Sequence, residues 1–152
     1  MRKILIAEDD FFIRDIYSEV FTLSGYEVHV AVDGADALEK LKNQQYDMVL
    51  LDIMMPKMTG IDVLRNLRTF PVPAKETPVF IITNLGQQNI IEEAFKIGMD
   101  GYIIKSQVTP QQIVNEINTF FAGKGSSTTG GSTPPPSTPP AGGTPPPGQP
   151  VQ

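Results

Sequence analysis

Short unbroken apolar runs recur along the chain, and each ends in a polar or charged residue. Ile4-Leu5-Ile6-Ala7 leads into Glu8-Asp9-Asp10, and Met48-Val49-Leu50-Leu51 leads into Asp52. Val79-Phe80-Ile81-Ile82 leads into Thr83, and Tyr102-Ile103-Ile104 leads into Lys105. Such a run, apolar without alternation, is the pattern of a strand buried on both faces, as in parallel sheets. Glu27–Ala31 alternates instead and reads as a fifth strand. Between these runs the apolar spacing becomes helical: Ile13, Ile16, Tyr17, Val20 and Leu23 before a stop at Gly25, then Ala37, Leu38 and Leu41. Leu64 and Leu67 follow Gly60 at the same spacing, and Ile91, Ala94 and Phe95 precede Gly98. Thr109-Pro110-Gln111-Gln112 carries a helix start, with a hydroxyl cap, proline at the first helical position and a glutamine able to reach back. Ile113, Ile117 and Phe120 or Phe121 would supply that helix's apolar face.

Five strands alternating with five helices predict an α/β fold with a doubly wound parallel sheet and helices on both sides. Pro71, Pro73 and Pro78 hold the connection before the fourth strand as loop. From Gly123 the composition changes to Gly, Ser, Thr and Pro, with Lys124 as the one charge and Val151 as the one large apolar residue. A segment of this kind buries too little surface to offset its ordering entropy. The expected organisation is therefore a domain over residues 1–122 and a disordered tail over 123–152, of roughly 30 Å average reach. Pro136-Ser137-Thr138-Pro139 matches a P-x-x-P pattern, as any proline-rich spacer does.

Charge narrows the function classes. The net charge is −5, and all 17 acidic residues precede position 123. An acidic domain is not expected to grip nucleic acid or an anionic membrane directly. Cysteine is absent, which excludes disulfides and thiolate metal sites. The first apolar run is too short for a signal peptide and none reaches membrane-spanning length, so a cytoplasmic protein is expected.

The polar residues at the strand ends carry the candidate chemistry. If strands one and three are neighbours, as in the flavodoxin-like order 2-1-3-4-5, carboxylates from both meet in the crevice where open parallel sheets bind ligands. Close carboxylates raise one another's pKa, and a hard divalent cation such as Mg²⁺ relieves the conflict. A carboxylate can act as a nucleophile toward phosphorus, while Lys105 and the Thr83 hydroxyl would offset charge on phosphoryl oxygens. Taken singly, each residue has an ordinary reading: a strand-end Asp caps a turn, an acidic triplet is a solvated corner, and Tyr102 is a half-buried strand aromatic. Their placement on four strand ends is what coincidence does not supply.

With these residues in order and at matching spacing, residues 2–122 resemble the receiver domain of two-component response regulators, similar to the single-domain chemotaxis type. The resemblance rests on Ile4–Asp10, Leu51-Asp52-Ile53-Met54-Met55-Pro56, Thr83 and Tyr102–Lys105. It implies that Asp52 accepts a phosphoryl group from a sensor histidine kinase or a phosphotransfer protein. It implies Mg²⁺ held by Asp9, Asp52 and the Met54 backbone carbonyl, with Glu8 acting through water and Asp10 left to cap the first helix. It implies a switch in which Thr83 moves toward the phosphoryl group and Tyr102 turns inward, reshaping the helix4-strand5-helix5 face for an unknown downstream protein. The protein would be no enzyme beyond its own Mg²⁺-dependent phosphoryl transfer and slow self-dephosphorylation, and either a monomer or a phosphorylation-dependent homodimer.

Two positions depart from the family pattern. Ser106 stands where a proline with a cis bond is usual, which puts the aim of Lys105 in question, because a non-proline cis bond costs about 3 kcal/mol. Asn84 stands where a small residue is common. Met54 and Leu85, two residues beyond Asp52 and Thr83, carry no group that orients a hydrolytic water. His29, the single histidine, is expected on the surface of strand two. A phosphatase of the haloacid dehalogenase type wants a second Asp where Met54 stands. A receiver-like interaction module not regulated by phosphorylation is the remaining alternative.

Overall fold

The computed structural model describes residues 1–84 and 88–124. Leu85, flanking the site in the reading above, and residues 125–152 of the expected tail lie outside the described residues, while Gly123 and Lys124, placed in that tail by the sequence, end the last helix. The elements are β1 (Lys3–Ala7), α1 (Phe11–Leu23), β2 (Glu27–Ala31), α2 (Gly34–Asn43), β3 (Met48–Asp52) and α3 (Gly60–Leu67). They continue with a 3-10 turn (Ala74–Glu76), β4 (Val79–Thr83), α4 (Gln88–Ile97), β5 (Gly101–Ile104), a second 3-10 turn (Lys105–Gln107) and α5 (Pro110–Lys124). The chain divides into two units, Met1–Val114 and Asn115–Gln152, of which the second is described only through the remainder of α5.

All five strands run parallel in the order β2-β1-β3-β4-β5, the flavodoxin-like arrangement expected from the alternation of elements. Every residue of β3 and β4 is buried, whereas β2, at an edge, is mostly half-buried. This is the difference between unbroken and alternating apolar runs in the sequence. On one face Leu5, Ala7, Val49, Leu51, Val79 and Ile81 meet Ala37, Leu38 and Leu41 of α2, Leu64 and Leu67 of α3, and Ile91 and Ala94 of α4. Successive strand residues point to opposite faces, so Ile4, Ile6 and Leu50 are directed the other way. On that face α1 lies against β1 and β2 and buries Tyr17 and Phe21.

Local chemistry fixes the element ends. Asp10 caps α1 by accepting from the backbone N–H groups of Phe12 (2.9 Å) and Ile13 (3.2 Å). Thr59 and Asp62 form a reciprocal capping box at α3. At α5 the expected box is present: Gln112 N–H donates to Thr109 Oγ1 at 3.1 Å, and Thr109 N–H donates to Gln112 Oε1 at 2.8 Å. Its buried stripe is Ile113, Val114, Ile117 and Phe121.

The apolar face expected for α1 needs correction. Ile16 and Leu23 are exposed, as are Phe11 and Phe12, and the fully buried anchor is Phe21. Helical spacing placed Ile16 and Leu23 within a broad apolar arc, but the surface that α1 covers is narrower. Phe95 of α4 is likewise exposed, while Ile91 and Ala94 are buried.

Candidate functional site

The carboxyl ends of β1, β3 and β4, and the residue that follows β5, bring Glu8, Asp9, Asp52, Thr83 and Lys105 to one rim of the sheet. Register does most of this work. Ile6 pairs with Leu50 and Ala7 with Leu51, so the acids after β1 stand beside the end of β3. Asp52 pairs with Ile82 and Thr83 with Ile104, which advances β4 and β5 to the same level.

Glu8 and Asp52 are buried and Asp9 is exposed, and the three offer carboxylate oxygens within 4.8 Å of one another. Lys105 closes the group, with Nζ 3.0 Å from Glu8 Oε1 and 3.3 Å from Asp52 Oδ2. Glu8 Oε2 accepts from the Asp10 N–H at 3.1 Å, whereas the buried Oε1 has no hydrogen bond of good geometry and faces only the ammonium among described partners. Burial, and then the charge of Asp52, push the Glu8 carboxyl up to about 7 against the opposing pull of Lys105 and the Asp10 N–H. Burial also works against the charge on Lys105, but Glu8 and Asp52 outweigh it and raise that ammonium above its ordinary value.

This donor set fits Mg²⁺. Three clustered hard oxygens, one of them buried and poorly satisfied, are what a small divalent cation with ligand distances of about 2.1 Å can join. Glu8, Asp9 and Asp52 would hold it.

Lys105 reaches the acids without the usual proline. Among the described residues the cis bond is Val72–Pro73, so the Lys105–Ser106 bond is trans. Lys105–Gln107 forms a 3-10 turn, and this alternative loop still directs Nζ to both carboxylates. Thr83 is buried, and its hydroxyl donates to the Asn84 carbonyl at 3.2 Å. Tyr102 is half-buried and packs against the core cluster. The Met54 side chain is exposed. His29 lies on edge strand β2, bonded to Tyr46 Oη through Nδ1 and to Glu27 through Nε2, each at 2.9 Å.

Sequence reasoning gave Arg14 no role, yet its guanidinium donates to the carbonyls of Glu8 (2.8 Å) and Asp9 (3.3 Å) and pins the acid pair. The only signal was an Arg in the first turns of the helix that follows an acidic corner. Gly60 is a second contributor. A Cβ there would lie 2.4 Å from the Asp52 carbonyl oxygen, so a bare backbone lets α3 start against the end of β3.

The Glu8 shift gives a stability prediction. A raised carboxyl pKa means that the folded state holds its proton more tightly than the unfolded chain does. With divalent ions chelated, this contribution is full below about 4.5 and lost as pH rises through about 7. The loss is on the order of 3 kcal/mol, from about 1.4 kcal/mol per pKa unit. Denaturant unfolding across that range is expected to show the decline, and Glu8→Gln to flatten it.

A family model described as the response regulator receiver domain matches residues 4–118. The chain is 34% identical over 118 residues to the chemotaxis protein CheY of Thermotoga maritima, covering 77% of this chain and 95% of that protein. Among solved structures, a Francisella response regulator receiver domain is 32% identical with a TM-score of 0.71, covering 80% of this chain and 98% of the other. The response regulator TrrA from Thermotoga maritima, solved in complex with Mg²⁺ and BeF, is 26% identical with a TM-score of 0.68 over 78% of this chain and 98% of that one. The matched span contains the five strands, save Lys3 at the start of β1, and the whole cluster of acids, hydroxyl and ammonium at their ends. By sequence, fold and the residues gathered at this rim, the chain belongs to the response regulator receiver domain family.

Proposed function

We propose that Asp52 accepts a phosphoryl group from a phosphohistidine on a sensor kinase or phosphotransfer protein, in the cytoplasm. The observation that carries this reading is the Lys105 ammonium set between Glu8 and Asp52 at 3.0 and 3.3 Å. In the reaction an Asp52 Oδ–P bond forms as the donor N–P bond breaks, and the departing imidazole takes up a proton. Lys105 offsets charge on the transferred group, and Arg14 keeps Glu8 and Asp9 in place through their carbonyls. Asp9, Asp52 and the Met54 carbonyl, with Glu8 through water, would hold Mg²⁺, which would supply positive charge against the phosphoryl oxygens.

The switch follows from Thr83. Its hydroxyl is committed to the Asn84 carbonyl at rest, and phosphorylation offers it a charged acceptor, a stronger bond. Movement of Thr83 frees space for Tyr102, which redraws the surface of α4 and β5 and the start of α5 for a downstream protein.

Acetyl phosphate with Mg²⁺ tests the assignment directly. Intact-mass measurement is expected to find one added phosphoryl group on the wild type and none on Asp52→Asn. Wild-type protein that stays unmodified under donor excess supports instead a receiver-like interaction module not regulated by phosphorylation. The exposed Met54 thioether carries no group to orient an attacking water, so release of phosphate after donor removal is expected to take hours. A lifetime below a minute would refute that expectation.

A further inference from the structure

We propose that Asp33, at the β2–α2 turn, is a positioning residue for the loop after β3, so that Mg²⁺ affinity depends on a side chain that does not touch the ion. The proposal rests on the metal reading above and extends it to residues outside the acid cluster.

The loop from Ile53 to Thr59 leaves directly from Asp52 and carries Met54. Its far end is held in a costly shape. Lys57 has φ +71°, a left-handed conformation that costs a residue with a Cβ about 1–2 kcal/mol. Met58 N–H donates to the Pro56 carbonyl at 2.8 Å, closing a tight turn. Pro56 locks one dihedral between Met54 and this turn, so a displacement at Lys57 is passed toward Met54.

The β2–α2 turn grips that far end. Asp33 is buried and divides its carboxylate: Oδ1 accepts from Asp36 N–H at 2.8 Å, capping α2, and Oδ2 faces Lys57 Nζ at 3.3 Å. Beside it, a Cβ on Gly34 would lie 2.3 Å from the Met58 carbonyl oxygen and 2.5 Å from the Met58 Cβ. The Met58 backbone is therefore seated on bare glycine while the neighbouring carboxylate holds Lys57. The Lys57 side chain is 69% exposed, and an ion pair of that exposure adds little to folding stability. What the pair supplies is geometry.

Calorimetric titration of the full chain with Mg²⁺ alone tests this, using Asp33→Asn, Lys57→Gly and the double variant. Asn caps a helix about as well as Asp, so the first change removes the grip and keeps the cap. Glycine relieves the left-handed backbone, so Lys57→Gly is expected to melt at or above the wild-type temperature. Each single variant is expected to bind Mg²⁺ about tenfold more weakly, the lower range for losing a residue that orients a metal ligand from behind. The double variant is expected to be no weaker than either, because the two residues form one contact. Charge alone predicts the opposite for Lys57, since removing a nearby cation tightens cation binding. Unchanged or tighter affinity in Lys57→Gly, or additive losses in the double variant, overturns the proposal. Wild-type protein that binds no Mg²⁺ overturns the metal reading itself and this proposal with it.

Discussion

Replacing Lys105 with methionine is expected to lower the stability of the metal-free protein by roughly 2–4 kcal/mol at about pH 8. The ammonium is the described counter-charge for two buried carboxylates, Glu8 and Asp52. Without it, burial of both acids is opposed by desolvation and by their mutual repulsion. Glu8, already pushed up to about 7, would move higher and take up a proton, which limits the loss. Thermal unfolding should therefore fall by roughly 5–15 °C near that pH. Acidification and Mg²⁺ should each restore much of it. On the proposed reaction, phosphoryl transfer should not recover, because neither a proton on Glu8 nor the ion reproduces an ammonium directed at a transferred group. A rate loss of about 100- to 1000-fold with acetyl phosphate is expected. A variant as stable as the wild type in chelator would contradict the placement of Lys105.

Arg68→Ala is expected to cost about 3–4 kcal/mol and to leave Mg²⁺ binding unchanged. Its guanidinium donates to the carbonyls of Gly98 (2.7 Å), Thr77 (2.7 Å) and Lys75 (2.9 Å), and pairs with Asp100 at 3.2 Å. These bonds tie the end of α3 to the segments that enter β4 and β5, at the pole of the sheet opposite the acids. Asp100 in turn accepts from the Val79 N–H at 2.8 Å, joining the two strand entries. Alanine would remove the charged donor from the partly buried bonds to the Thr77 and Gly98 carbonyls. The urea midpoint should drop with an unchanged slope, while the magnesium isotherm overlays the wild type. A shifted isotherm would show that the two poles of the sheet are coupled.

Arg68 also marks where the sequence stopped being legible. Apart from Asp100 its partners are backbone carbonyls, up to thirty residues away, and carbonyls leave no trace in residue identity. The same holds for Arg14, which serves the acid pair through main-chain oxygens. By contrast, the strands and the site announced themselves together. A strand buried on both faces must be apolar until it reaches the rim, so the first polar residue after each run is also the one presented to the crevice. Asp52, Thr83 and Lys105 were each found this way. Helix faces were harder to read. Phe21 is fully buried while Ile16, five residues earlier, is exposed, because the arc that α1 hides is set by the width of the two strands beneath it. Ser106 put only the aim of Lys105 in question, and the trans 3-10 turn answers it by bringing Nζ to both carboxylates.

The order in which the polypeptide is made adds a last constraint. Glu8 leaves the ribosome almost a hundred residues ahead of Lys105, the cation that makes its burial tolerable, which directly follows β5. A nascent chain that pairs β1 with β3 before Lys105 emerges holds Glu8 protonated or in water, and gains the Lys105 contact only when β5 docks. Vectorial growth thus favours late, concerted closure of this domain over stepwise accretion.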